Sequence, residues 1–156
     1  MSERRSRNEG LLKDFNFSEP VSISGGTSIP LSNVAETPLA AITLRRIRSR
    51  DRVLIQADVG WQISPIASIV NPEVQFRIHR DSILGPVVFD TVDGGTGLGR
   101  RFNTALIHAE TFIPRCKQHQ YILTAFIVTG VAGDVFVVGP ISLAGSVIDE
   151  NEKDKC

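Results

Sequence analysis

With 156 residues, 42% of them hydrophobic and 6% aromatic, the chain carries apolar material for one core and not for two. Its Lys plus Arg count of 17 equals its Asp plus Glu count of 17, so no global field steers it toward nucleic acid or an anionic membrane. Two cysteines, Cys116 and Cys156, are too few for a disulfide framework and stand in no CxxC spacing.

Residues 1–20 are read as an N-terminal arm. They open Met1-Ser2-Glu3-Arg4-Arg5 with no apolar h-region, so classical export is not expected and synthesis is expected in a cytoplasm. Leu11, Leu12, Phe15 and Phe17 supply the apolar content of this polar stretch, and Phe15 and Phe17 share a face if the chain is extended. Two readings stand for it: a leader with a few sticky side chains, or an assembly arm that adds a strand to the sheet edge of a neighbouring subunit.

From residue 21 to residue 148 the chain reads as one all-β domain. Short apolar runs are punctuated by Gly, Pro, Asn and Asp, and no long segment repeats every 3.6 residues. Strands are expected at Val21–Ser24, Thr27–Leu31, Leu39–Ile47, Arg52–Ser64, Glu73–Arg80, Val87–Thr91, Asn103–Phe112, Gln120–Thr129, Asp134–Val138 and Ile141–Ile148. The fourth has the clearest pattern, because Val53, Ile55, Ala57, Val59, Trp61 and Ile63 fall on one face of an unbroken alternation. Val53, Ile55, Val59, Trp61 and Ile63 are therefore expected in the core. Gly25-Gly26 marks a tight turn, and Val131-Ala132-Gly133-Asp134 reads as a hairpin-like connection. The apolar stretch Val135 to Ile148 is broken by Gly139, Pro140 and Gly145 and is too short to cross a bilayer as a helix.

About ten short strands in a domain of this size call for two packed antiparallel sheets, and a jelly-roll β-sandwich is the expected architecture. Apolar residues occupy both phases of Asn103–Phe112, with Leu106 and Phe112 facing one way and Ile107 and Ile113 the other. Gln120–Thr129 behaves likewise. This exceeds what one sandwich face needs, so a homo-oligomer is expected. Residues 149–156 form a charged tail whose last residue, Cys156, is placed to crosslink chains, with Cys116 as a second candidate.

No constellation points to catalysis, a cofactor or a metal. Gly95-Thr96-Gly97-Leu98-Gly99 lacks the Gly-Lys-Ser/Thr ending of a phosphate loop and the helix a dinucleotide fingerprint requires. Arg45, Arg46, Arg48, Arg50 and Arg52 surround Asp51, but Arg45 and Arg46 point to opposite faces and no aromatic side chains are interleaved, which disfavours nucleic-acid binding. A charged strand-to-strand corner, or ion pairs to another subunit, fits this cluster better. His108 and Glu110 share a strand face and are read as a polar pair at an interface or on a mixed surface, since no third metal ligand can be named. Cys116 and His119 are too local a pair for a nucleophilic dyad, and no serine occupies a Gly-x-Ser-x-Gly elbow.

The stretch Arg52-Val53-Leu54-Ile55-Gln56-Ala57-Asp58-Val59-Gly60-Trp61-Gln62, followed by Val74-Gln75-Phe76-Arg77-Ile78-His79-Arg80-Asp81 and Val88-Phe89-Asp90-Thr91, resembles exosporium protein C and related spore-surface proteins of Bacillus-type bacteria. The likeness covers roughly residues 20–148. It implies a single jelly roll of the tumour-necrosis-factor and complement-head (C1q-like) type. It also implies a non-catalytic structural protein of the spore coat, exosporium or an appendage, made in the mother-cell cytoplasm and assembling with itself into trimers or fibres alongside other spore-surface proteins. The alternative expectation is a trimeric receptor-binding or carbohydrate-binding head at a fibre tip.

Overall fold

The computed structural model describes residues 10–111 and 113–149. Among them there is no helix, and nine strands run in chain order: β1 (Leu11–Val21), β2 (Ile29–Pro30), β3 (Thr37–Ile47), β4 (Arg52–Ile63), β5 (Glu73–Arg80), β6 (Val87–Gly94), β7 (Arg101–Glu110), β8 (Cys116–Thr129) and β9 (Val135–Asp149). One sheet has the order β1-β9-β4-β7, with the short β2 also paired to β9; the other has the order β3-β8-β5-β6. Every pairing is antiparallel. Strands adjacent in sequence mostly lie in opposite sheets, which is the double Greek-key arrangement of a jelly roll.

The alternation in β4 is what closes the sandwich. Val53, Ile55, Val59, Trp61 and Ile63 are fully buried, as their common phase requires, and they meet Phe76, Ile78, Tyr121, Leu123 and Ile127 of the opposite sheet in one core. A slip of one residue would turn this whole set outward, so register here is fixed by burial. Two glycines mark places where backbones come too close for a side chain. A Cβ on Gly60 would sit 1.9 Å from the carbonyl oxygen of Gly139, at the register shift where β9 bends across β4. A Cβ on Gly145 would meet Ile42 and Leu44 of the facing sheet at 2.6 and 2.8 Å.

Several elements differ from those read in the sequence. The segment taken as a separate arm is, from Leu11 onward, a strand of the domain itself. β1 follows β9 from Leu11 opposite Asp149 to Val21 opposite Ile141. The exposed backbone of β9 finds this partner within its own chain, and two register shifts let β1 follow the bend. The strands expected at Val21–Ser24 and Thr27–Leu31 shrink to the end of β1, a turn in which Gly26 N donates to the Ile23 carbonyl, and the two-residue β2. The pair expected at Asp134–Val138 and Ile141–Ile148 is the single long β9. Residues 131–134 are not a hairpin: they carry the chain from β8 in one sheet to β9 in the other. The outer ends also move, since β8 begins at Cys116 and β7 ends at Glu110. Ile113 therefore turns back into the core, and Leu106 is buried with it. Phe112 and the residues 150–156 that include Cys156 lie outside the described residues.

Candidate assembly surface

Three polar networks tie the strands together from within. In the first, Trp61 on β4 donates its indole N–H to Thr104 Oγ1 on β7 at 2.9 Å, and Thr104 donates to Asp93 on β6 at 2.5 Å. The two sheets are thus joined at the edge where β6 and β7 run side by side. Stacking of Trp61 on Phe102 (4.7 Å between centroids) and of Phe89 on His108 (5.1 Å) reinforces the same edge. In the second, the Tyr121 hydroxyl on β8 donates to Glu110 on β7 at 2.7 Å, and Arg80 at the end of β5 pairs with the same carboxylate. Burial pushes the Tyr121 phenol well above its ordinary range, and the hydrogen bond to Glu110 and its charge add to that effect. His119 supports this end by contacting Asp81 at 2.9 Å and the Pro114 carbonyl at 2.8 Å.

The third network lies on the outer side of the β3-β8-β5-β6 sheet. Glu36, just before β3, accepts from Arg77 Nη1 (2.5 Å) and Thr124 Oγ1 (2.6 Å) and contacts His79 Nε2 at 2.5 Å. Burial raises the affinity of its carboxyl for a proton, but the hydrogen bonds from Thr124, Arg77 and His79, with the charge of His79, outweigh burial and hold it below the usual carboxylate value. Arg77 also lies 4.8 Å over the Phe126 ring. This outer face is mixed: the Glu36 network sits between rows that also carry Val92 beside Gln75 and Phe126, and Val87 beside His79 and Ile122.

The outer face of the other sheet has an uncharged centre. Cross-strand register places Phe17, Ala144, Gln56 and Ile107 in one row over β1, β9, β4 and β7, and Phe15, Ser146, Leu54 and Ala109 in the next. Neither row holds a charge. Phe17 is 63% exposed and Ile107 66%, and the Phe15 and Phe17 rings stack at 6.1 Å. Ala144 and Ser146 make a shallow trough between an aromatic ridge on β1 and an aliphatic one on β7. At one end of this apolar surface the next row holds Leu12, Ile148 and the charged Arg52. At the other end it closes with Asp58, which accepts from Asn103 at 2.8 Å.

The residues singled out from the sequence fall as follows. Leu11, Leu12, Phe15 and Phe17 are exposed on β1, with Phe15, Phe17 and Leu12 on the apolar outer face. Cys116 is exposed, without a disulfide, at the start of β8. His108 and Glu110 do not form a surface pair: their phase points inward, so Glu110 is consumed by Tyr121 and Arg80 while His108 stacks on Phe89. The arginine cluster does form a corner, closed by its own Asp51. That side chain accepts from Arg48 N at 2.7 Å and pairs with Lys13 of β1 at 2.5 Å. The glycine loop is zipped to the end of β4 by Ile63 N to the Arg100 carbonyl and Gly99 N to the Ile63 carbonyl, each 3.0 Å, and its amides do not converge as an anion cradle. The groups around Glu36 were not legible as a cluster, because Glu36, Arg77, His79 and Thr124 are distant in sequence. The uncharged alternation Ala105, Ile107, Ala109 and its counterpart Ser142, Ala144, Ser146 were the available signals for the apolar face.

No family model and no curated protein matches the chain. Among solved structures, an arabinose-bound α-L-arabinofuranosidase aligns with 88% of this chain at 12% identity and a TM-score of 0.48, and the chain spans only 23% of that protein. A CBM4 structure aligns with 91% of the chain and 78% of its own length at 4% identity and a TM-score of 0.31. Neither similarity reaches the level of a shared fold.

Proposed function

We propose that this jelly roll is a structural, self-assembling building block of a bacterial spore surface, in the coat, the exosporium or an appendage, and that it acts without catalysis. The observation that carries the reading is where the chemically capable side chains are spent. Glu110, Arg80, Tyr121, Thr104, Asp93, Glu36, Arg77 and His79 tie strand to strand and sheet to sheet. Such ties favour one rigid shape over an adaptable pocket. The resemblance of the Val53–Ile63 and Val74–Asp81 stretches to spore-surface proteins supports the location. Electron microscopy of the purified full chain should show defined oligomers or fibres, and antibodies raised against it should label intact spores. Monomers at every concentration, together with unlabelled spores, would overturn the proposal.

A further inference from the structure

Resting on that reading, we infer that the apolar outer face of the β1-β9-β4-β7 sheet is an interface, and that its occupant is a second copy of this chain. The face is too apolar to be left open: two ridges, Phe15 and Phe17 on one side and Ile107 on the other, stand exposed over an uncharged trough of Ala144, Ser146 and Gln56.

What covers it is constrained by composition and charge. The residues outside the described ranges at the two ends, Met1 to Glu9 and Glu150 to Cys156, offer Met1 as their only large apolar side chain and otherwise carry charges and polar groups. They cannot furnish the aromatic or aliphatic surface that would bury these ridges. A nucleic acid or an anionic membrane surface finds no cation in either central row and the single Arg52 in the row beside them, short of the several cations such partners need. A sheet face of the same kind does fit, because two sheets with uncharged centres pack at about 10 Å with the ridge of one over the trough of the other.

The size of the face sets the strength of the contact. Four strands about 4.8 Å apart, each contributing about seven residues of about 3.3 Å, outline roughly 400 Å² of flat sheet per copy, bounded by Arg52 at one end and Asp58 at the other. Two such surfaces bury roughly 800 Å² before side-chain relief, below the roughly 1,200 Å² of standard specific interfaces, so a weak contact is expected. Assembly through this face alone is thus concentration-dependent, which makes it measurable.

The test is sedimentation velocity on the full chain under reducing conditions, so that Cys116 and Cys156 do not contribute, from micromolar to millimolar concentration. Wild type should associate. Phe17→Asp and Ile107→Asp, on opposite sides of the face and exposed in the single chain, should each weaken association about 100-fold, since each places an unpaired carboxylate in an apolar contact. Their thermal transitions at low concentration should match wild type. Ala41→Asp, exposed on the outside of the other sheet, should associate as wild type does. If wild type associates and both face variants do so equally well, or if Ala41→Asp alone dissociates, this interface is wrong while self-assembly stands. If wild type remains monomeric throughout, self-assembly and this interface fall together.

Discussion

Replacing Trp61 tests the packing of the whole sandwich. The side chain is fully buried, stacks on Phe102 at 4.7 Å and donates to Thr104 Oγ1, which in turn donates to Asp93 of the opposite sheet. Trp61→Ala removes an aromatic ring from a close-packed core and leaves a cavity that neighbouring strands, held by register on both sides, cannot fill. Its cost should be about 3–5 kcal/mol. Trp61→Phe keeps most of the volume but leaves Thr104 without its indole partner, and should cost about 1–3 kcal/mol, near that of one lost buried hydrogen bond plus a smaller void. Urea unfolding followed by far-ultraviolet circular dichroism suits all three proteins, because Trp61 is the chain's one tryptophan and its fluorescence vanishes with it. With a slope of about 2 kcal/mol per molar, the alanine variant's midpoint should fall by roughly 2 M. A loss under about 1 kcal/mol with an unchanged slope would refute the argument that this ring is the centre of the core.

Tyr121 is the only tyrosine, so an alkaline absorbance titration reads it alone. Its phenol is raised by burial and by Glu110, and the sign follows: the neutral form belongs to the folded state, stability falls as pH rises above the ordinary tyrosine value of 10.0, and ionisation should coincide with loss of the circular dichroism signal. Ionisation with a free-phenol midpoint in folded protein would contradict this. Glu36 runs the opposite way. Its carboxyl is held below 4.5, so its contribution is complete above that pH and is lost as pH falls through the lowered value; Glu36→Gln should flatten the acid limb of urea-measured stability, and an unaltered limb would exclude it. Tyr121→Phe leaves Glu110 short of one donor inside the core and should lower stability by about 1–3 kcal/mol by chemical unfolding. Gly60→Ala should yield little folded protein by circular dichroism, because its Cβ would lie 1.9 Å from a backbone oxygen.

What could be read from the sequence was whatever burial writes at period two. The Val53–Ile63 alternation delivered both the strand and its inward face, and two packed sheets followed from the number of such runs. Boundaries and partners were less visible. β9 was divided at Gly139-Pro140 because those residues normally end a strand, yet the chain bends there and continues its pairing with β4 and β1. β1 read as an arm because its exposed face and polar residues carry no core signal; its place is fixed by backbone hydrogen bonds to β9 and by Asn16 Nδ2 reaching the Thr43 carbonyl at 3.0 Å. His108 and Glu110 were read as a polar pair at an interface or on a mixed surface because phase alone does not say which side is inside. Only contact with Tyr121 across the sandwich decides it.

In the proposed assembly the two outer faces play different parts. Over the β3-β8-β5-β6 sheet, Glu36 gathers Arg77, His79 and Thr124, so charge is neutralised locally among side chains that include Val92, Phe126 and Ile122. Over the β1-β9-β4-β7 sheet, aromatic and aliphatic side chains lie in register with alanine and serine, and nothing within those rows satisfies them. At the sandwich edge where β1 meets β3, Asp14 accepts from Arg45 N at 2.6 Å and Lys13 pairs with Asp51, which occupies backbone and charge that would otherwise recruit a neighbour. Edge closure there and an apolar sheet face beside it together favour stacking of faces over lateral strand addition. In the proposed face-to-face assembly Leu12, Phe15 and Phe17 act while β1 stays in its own sheet, and removing residues 1–9 should leave association by light scattering unchanged; its loss would favour instead the arm-exchange reading of Leu11, Leu12, Phe15 and Phe17.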